Sequence, residues 1–128
     1  MSEPRWLDLR EIVAAHERQL QRFGGPAGIR DPAALQSALG RPINKYHYEK
    51  ADLAQCGAAY AFGLARNHPF VDGNKRVAFV ALTLFLRLNG VKFEPDRAEA
   101  TAAIFGLAAG DITEEGLTRW IRDNWPKG

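Results

Sequence analysis

Between positions 68 and 76 the chain reads His-Pro-Phe-Val-Asp-Gly-Asn-Lys-Arg. These residue types at this spacing can do chemistry on a phosphate ester. His68 is of the type best suited to take a proton near neutral pH. Asp72 is a carboxylate on the same short stretch, and Lys75 and Arg76 are adjacent cations. The next residues, Val77 to Asn89, form an apolar run with Gly90 as its stop, so the two cations stand at or near a helix N-terminus. That end already carries partial positive charge from N–H groups with no intrahelical partner. Two cations there cost stability unless an anion shares the place. Helix N-termini are ready phosphate sites, so the local conflict points to a phosphate-bearing ligand. Arg76 presents a planar fork suited to phosphate oxygens. Gly73 permits a tight turn and close approach of a phosphate. Asn74 fits a turn residue, but a side-chain amide aimed at phosphate is the better reading. Asp72 can hold a divalent cation, because Mg²⁺ typically uses one or two carboxylates together with phosphate oxygens. Phe70 reads as an apolar anchor that pins the loop to the core.

Each of these residues also has an ordinary reading. A lone histidine before proline is usually incidental, and Asp72 by itself is a helix cap. It is their combination that favours chemistry. Outside the run, His16 lies on the apolar side of a helical pattern and reads as a packed histidine. His47, between Tyr46 and Tyr48, reads as a solvated loop residue. Cys56 reads as a small buried hydrophobe. Trp6, Trp120 and Trp125 read as seals at a core edge. Arg30 and Asp31 read as stabilising a helix start. No His-x-x-His or His-Glu-x-x-His spacing suggests a protein-bound zinc.

The elements that must position this loop are helices. Leu9, Ile12, Val13, His16 and Leu20 recur at helical spacing and predict a helix over about 8–22. Gly24-Gly25-Pro26 ends it. Asp31 as N-cap with Pro32 behind it opens a short helix to about Leu39. Residues 41–50, with a proline and alternating aromatics, predict a flap or small hairpin. Helices follow over about 51–67, 76–89, 96–109 and 113–125, with an extended stretch at 91–95 before Pro95. Apolar residues on most faces of 76–89 predict that this helix is buried at the centre of an all-α bundle.

The 128 residues predict a single domain spanning 1–128, with 46% apolar and 25% charged residues, as expected of a globular protein. The apolar run 77–86 is too short to cross a bilayer, so no membrane is expected. Met1 to Asp8 contains no apolar leader, and Cys56 is the only cysteine. Together these predict a cytoplasmic location. A net charge of +2 is too weak to predict nucleic-acid binding.

The run 68–76 resembles the Fic-domain signature H-P-F-x-[DE]-G-N-G-R. Lys75, where most Fic enzymes have Gly, makes it more similar to the death-on-curing (Doc) toxin branch, whose motif is H-x-F-x-D-A-N-K-R. Phe23-Gly-Gly-Pro-Ala-Gly-Ile-Arg-Asp31, followed by Leu35-Gln-Ser-Ala-Leu39, resembles the G-G-x-x-G-x-R-D…L-x-S-A-L segment of Doc-like proteins. The resemblance covers almost the whole chain, and the place of Arg30 and Asp31 in its first block implies a part in the rim of the active site. It implies a Fic/Doc helical bundle with the active loop before a central helix and a small flap ahead of it. It also implies a toxin of a type II toxin–antitoxin system that uses ATP and Mg²⁺ to modify a protein hydroxyl. In such enzymes the residue matching His68 is the base and that matching Asp72 holds Mg²⁺. Gly73, Asn74, Lys75 and Arg76 would bind the nucleotide phosphates, Arg76 also serving catalysis. In the Doc branch Lys at position 75 goes with transfer of the γ-phosphate to a Thr of elongation factor Tu. Gly73 departs from the Doc pattern, which has Ala, and matches Fic, so transfer of AMP stays open. A non-catalytic interaction module is the remaining alternative, opposed by the intact His68, Asp72, Asn74 and Arg76. Some Fic proteins restrain themselves through an [ST]-x-x-x-E-[GN] helix. Here Glu115-Gly116 is preceded by Asp111 at the first position, so a separate antitoxin is the implied control.

Overall fold

The computed structural model describes residues 2–127. Among them are six helices and no strand: α1 (Leu9–Phe23), α2 (Pro32–Glu49), α3 (Leu53–Asn67), α4 (Asn74–Leu88), α5 (Arg97–Ala109) and α6 (Glu114–Asp123). Five of them start on a side-chain cap. Asp8 and Asp52 form capping boxes with Glu11 and Gln55. Asp31, Asp96 and Thr113 accept from the backbone amides of Ala34, Glu99 and Gly116. Each such cap satisfies an otherwise orphaned amide and stabilises its helix by about 1 kcal/mol. The exception is α4, whose N-cap is Gly73 in the left-handed region with no side-chain hydrogen bond.

The most enclosed helix is α3. Its Ala- and Gly-rich faces pack against α2, α4, α5 and α6, with nearly every residue from Ala54 to Ala65 buried. Small residues let backbones approach: a Cβ added at Gly63 would stand 2.9 Å from the Cα of Ala38 on α2. The all-α bundle is the expected one, and α4 is the buried helix expected over 76–89. Helix α4 buries Val77, Ala78, Ala81, Leu82, Phe85 and Leu86, but Phe79, Val80 and Thr83 on its other side are only half-buried.

The flap or hairpin expected at 41–50 is not there. Helix α2 continues through Pro42 to Glu49. Proline removes one helical hydrogen bond and disfavours its predecessor's helical conformation, yet tertiary contacts override that preference. Leu39 and Pro42 are buried. Arg41 and Lys45 both pair with Glu114 at the start of α6, the Lys45 Nζ–Oε2 distance being 3.0 Å. Burial of Glu114 raises its pKa, but hydrogen bonds from Arg41 and Lys45 outweigh this and hold the carboxyl below its ordinary range. Tyr46 packs edge-on against Trp6, which stacks on Phe85. The segment that does lie extended beside the motif loop is 28–31. There Ile29 and Phe70 form an antiparallel bridge, the amides of Arg30 and Asp31 donate to the Pro69 carbonyl at 2.8 and 3.0 Å, and Val71 N donates to Gly28 O at 3.0 Å.

The remaining readings of single residues follow. Cys56 is fully buried, and burial, assisted by Asp52, pushes its thiol up to about 12. Trp120 packs edge-on against Phe93. His47 lies within 3.6 Å of Glu3, on a helix and not in a loop.

Candidate active site

Residues 68–73 link the end of α3 to the start of α4. His68 is the C-cap of α3 and adopts a left-handed conformation (φ 48°, ψ 57°), uncommon for a residue with a Cβ. The loop then turns inward at Phe70, 1% exposed, and out again at Val71 and Asp72. Phe70 is the expected anchor. It is gripped at its main chain by Asn74: Phe70 N donates to Asn74 Oδ1 at 2.9 Å, and Asn74 Nδ2 donates to Phe70 O at 3.0 Å. This corrects the reading of Asn74 as an amide aimed at phosphate. Its side chain is buried and engaged at both its oxygen and its nitrogen, because the turn leaves the polar main chain of buried Phe70 in need of partners.

Gly73 then opens α4 at φ 78°. A left-handed residue with a Cβ costs roughly 1 kcal/mol, and a Cβ here would stand 3.4 Å from Nε2 of His16. Asp72 Oδ1 accepts from the Gly73 amide at 2.8 Å. Its other oxygen faces the bare backbone of Gly25 (φ 115°), where a Cβ would stand 2.5 Å from Oδ2. The first helical main-chain bond of α4 runs from Val77 N to Gly73 O, so the amides of residues 74–76 precede it. No acidic residue stands in that first turn, while Lys75 and Arg76 do.

The outcome is a hollow of about 310 Å³ lined by His68, Val71, Asp72, Gly73, Asn74, Lys75, Arg76 and Phe105. The structure thus brings His68, Asp72, Gly73, Lys75 and Arg76 to one place, with Asn74 and Phe70 holding the loop beneath. Lys75 lies 5.2 Å over the ring of Phe105, and the Arg76 guanidinium lies 4.6 Å over Phe23. Both rings are about half exposed (54% and 52%), which leaves the cations at the surface of the hollow. An exposed base and cations around a helix start suit a polyanionic substrate with a large acceptor. Among the described residues no three His, Cys, Asp or Glu side chains cluster as a metal site. Asp72 is exposed and fits Mg²⁺ as its single protein carboxylate, with phosphate oxygens and water completing the shell.

A larger cleft, about 840 Å³, lies elsewhere, between the N-terminal segment, Tyr46, Asp52, Asn89, Arg122 and Trp125. Its Arg122 is already paired with Asp52 at 2.8 Å, and it gathers no histidine beside cations at a helix start. The chemistry, not the volume, assigns the site to the smaller hollow.

Two residues outside the motif complete the loop. Arg30 donates from Nε to the His68 carbonyl at 2.7 Å and from Nη2 to the Asn67 carbonyl at 2.9 Å. His16, 2% exposed, stacks on Phe70 with ring centroids 3.8 Å apart and donates from Nε2 to the Asp72 carbonyl at 2.6 Å. In the sequence His16 reads as a packed histidine, which it is, and nothing in its spacing marks the partner 56 positions away. Arg30 carried a signal in its place within the Gly-Gly-Pro-Ala-Gly-Ile-Arg-Asp block.

The chain is similar to known proteins along most of its length. The chain is 36% identical over 115 residues to the protein kinase doc of Escherichia phage P1, covering 88% of this chain and 89% of the relative. It is 43% identical over 100 residues to the toxin Doc of Mycolicibacterium smegmatis, covering 73% and 75%. The profile of the Fic/DOC family matches residues 6–86, from the N-terminal tryptophan through the loop to most of α4, and the chain belongs to that family.

Proposed function

We propose that this protein is a toxin of a toxin–antitoxin pair that transfers the γ-phosphate of ATP to a Ser or Thr hydroxyl of a translation factor, elongation factor Tu being the candidate. The observation that carries this reading is Lys75, which lines the same hollow as His68, Asp72 and Arg76. Two relatives support it by name, one a protein kinase and one a toxin. In the reaction His68 takes the proton of the acceptor hydroxyl. A bond forms between that oxygen and the γ-phosphorus, the bond to the β–γ bridging oxygen breaks, and ADP leaves with the electron pair. Lys75, Arg76 and the amides at the start of α4 hold the phosphates, and catalysis is mostly positioning and charge stabilisation. Mg²⁺ held by Asp72 would neutralise phosphate charge. The single glycine that matches the AMP-transferring pattern, Gly73, is accounted for by its φ of 78° and by His16 beside it. It therefore gives no separate support to AMP transfer.

Control by an antitoxin fits a second feature. A groove of about 450 Å³ runs between α1 and α5 over the half-buried side of α4. Phe79, Val80 and Ile104 give it an apolar floor, Arg22 and Arg97 line it, and it reaches Lys75 and Arg76. An antitoxin helix with an apolar face and acidic flanks matches that lining. The decisive experiment is incubation with elongation factor Tu and ATP labelled at either the α- or the γ-phosphate. Label from γ alone supports phosphoryl transfer; label from α overturns it in favour of AMP transfer; label from neither removes elongation factor Tu as the substrate.

A further inference from the structure

The loop 68–73 is tied to the body of the protein at both ends by side chains that precede it in the chain by 38 to 56 positions. At one end Arg30 spans two consecutive carbonyls, of Asn67 and His68, at the C-terminus of α3. A helix leaves such carbonyls unpaired, and the rigid fork of a guanidinium reaches two of them from separate nitrogens. This bridge also covers the residue in the left-handed conformation, so the direction in which the His68 imidazole leaves the backbone depends on it. At the other end the buried ring of His16 holds the Asp72 carbonyl and stacks against Phe70. Beyond the Oδ1–Gly73 bond, that main-chain bond fixes where the Asp72 carboxylate stands.

We infer that Arg30 and His16 are positioning residues for the transfer reaction, Arg30 acting on His68 and His16 acting on Asp72. The inference rests on the reading of His68 as base and Asp72 as the Mg²⁺ carboxylate. It differs from a merely structural role because the two clamps control different steps. Loss of Arg30 misplaces the base without touching the phosphate cations. Loss of His16 misplaces the carboxylate without touching the base.

The full chain has three histidines, so with ¹³C-labelled histidine its ring signals can be assigned by substituting each in turn. In Arg30→Ala the His68 signal should move while that of His47 stays. Turnover with γ-labelled ATP and elongation factor Tu should fall about 10–100-fold, as for lost outer supports of catalytic groups, with KM for ATP within about twofold. Arg30→Lys should recover only part, since it offers a single point donor. In His16→Ala, calorimetry should show the Mg²⁺ concentration for half-maximal ATP binding raised about tenfold or more. His16→Gln, which keeps a donor towards the Asp72 carbonyl, should restore most of that requirement. An unmoved His68 signal in Arg30→Ala, or an unchanged Mg²⁺ requirement in His16→Ala, overturns the corresponding clamp. Losses that match the unfolded fraction in thermal melts overturn both in favour of simple fold maintenance. His68→Ala is the control on the underlying reading: if it transfers phosphate at the wild-type rate, or if wild type transfers none, that reading fails, while the histidine spectrum and the Mg²⁺ titration still judge the clamps.

Discussion

At the scale of single residues, the proposed reaction separates proton transfer from phosphate binding. His68 is exposed at the end of α3, while Lys75 and Arg76 belong to the first turn of α4. His68→Ala therefore removes the base and leaves the phosphate contacts. Its rate of transfer should fall by roughly 10²–10⁴, with ATP affinity by calorimetry close to wild type. Wild-type growth inhibition by His68→Ala would remove it as the base. Lys75→Ala and Arg76→Ala should do the opposite and weaken ATP binding, with a difference from wild type that shrinks at high salt as the attraction is screened. Their effect on stability is the balance of two small terms. Each variant gives up an exposed cation–π contact, with Phe105 or Phe23, worth about 0.5–1 kcal/mol. Each also relieves repulsion with the helix dipole, worth about 0.3–1 kcal/mol. Melting temperatures should thus stay near that of wild type. An Arg76→Ala protein that binds ATP as wild type does would take phosphate binding away from this cation.

At the scale of elements, the bundle is held where helices carry information the sequence shows only in part. The cap at Asp31 was legible from Pro32 behind it, and the caps at Asp8, Asp52, Asp96 and Thr113 stand at or next to the expected helix starts. The stop at Gly90, which has the positive φ (84°) that a left-handed end requires, was legible too. The course of α2 past Pro42 was not, since what carries it on is Glu114, 73 and 69 positions beyond Arg41 and Lys45. The same distance hid the grip of His16 on Asp72, while the grip of Asn74 on Phe70 was local yet masked by a chemically attractive alternative. Glu114 gives this level its test. Its folded pKa lies below the ordinary 4.5, so its contribution is fully present above that value and is lost as pH falls through the depressed one. Acid unfolding should begin below about pH 4.5 with a component that Glu114→Gln abolishes. At neutral pH the same substitution should cost about 1–3 kcal/mol in urea unfolding, because two cations lose a shared partner. Gly63→Leu should cost more, since the Ala38 backbone leaves no room for a side chain there. A Glu114→Gln protein with unchanged stability at neutral pH would mean that α2 is carried past Pro42 by apolar packing alone.

At the scale of the whole molecule, the active hollow and the groove between α1 and α5 share Lys75, Arg76 and Phe105. Whatever fills the groove to its end meets Lys75 and Arg76, the cations proposed to hold the phosphates. An antitoxin helix there needs no contact with His68 to silence the protein, because an acidic side chain on Lys75 or Arg76 competes with ATP directly. Toxin inhibition and nucleotide binding are then linked, and by thermodynamic reciprocity each must weaken the other. Competition of this kind should appear as an apparent ATP Kd that rises with antitoxin concentration and as an antitoxin affinity that falls with ATP. Both effects should lessen with added salt, since the shared groups are charged and half exposed. Thr83 lies on the groove-facing side of α4, two turns from Lys75 and away from the phosphates. Thr83→Asp should weaken the antitoxin by about tenfold, as a like charge facing an acidic helix costs roughly 1–2 kcal/mol, with ATP affinity unchanged. An antitoxin that binds equally well with and without saturating ATP would place its contact elsewhere on the bundle, with the 840 Å³ cleft beside Trp125 the next surface to test.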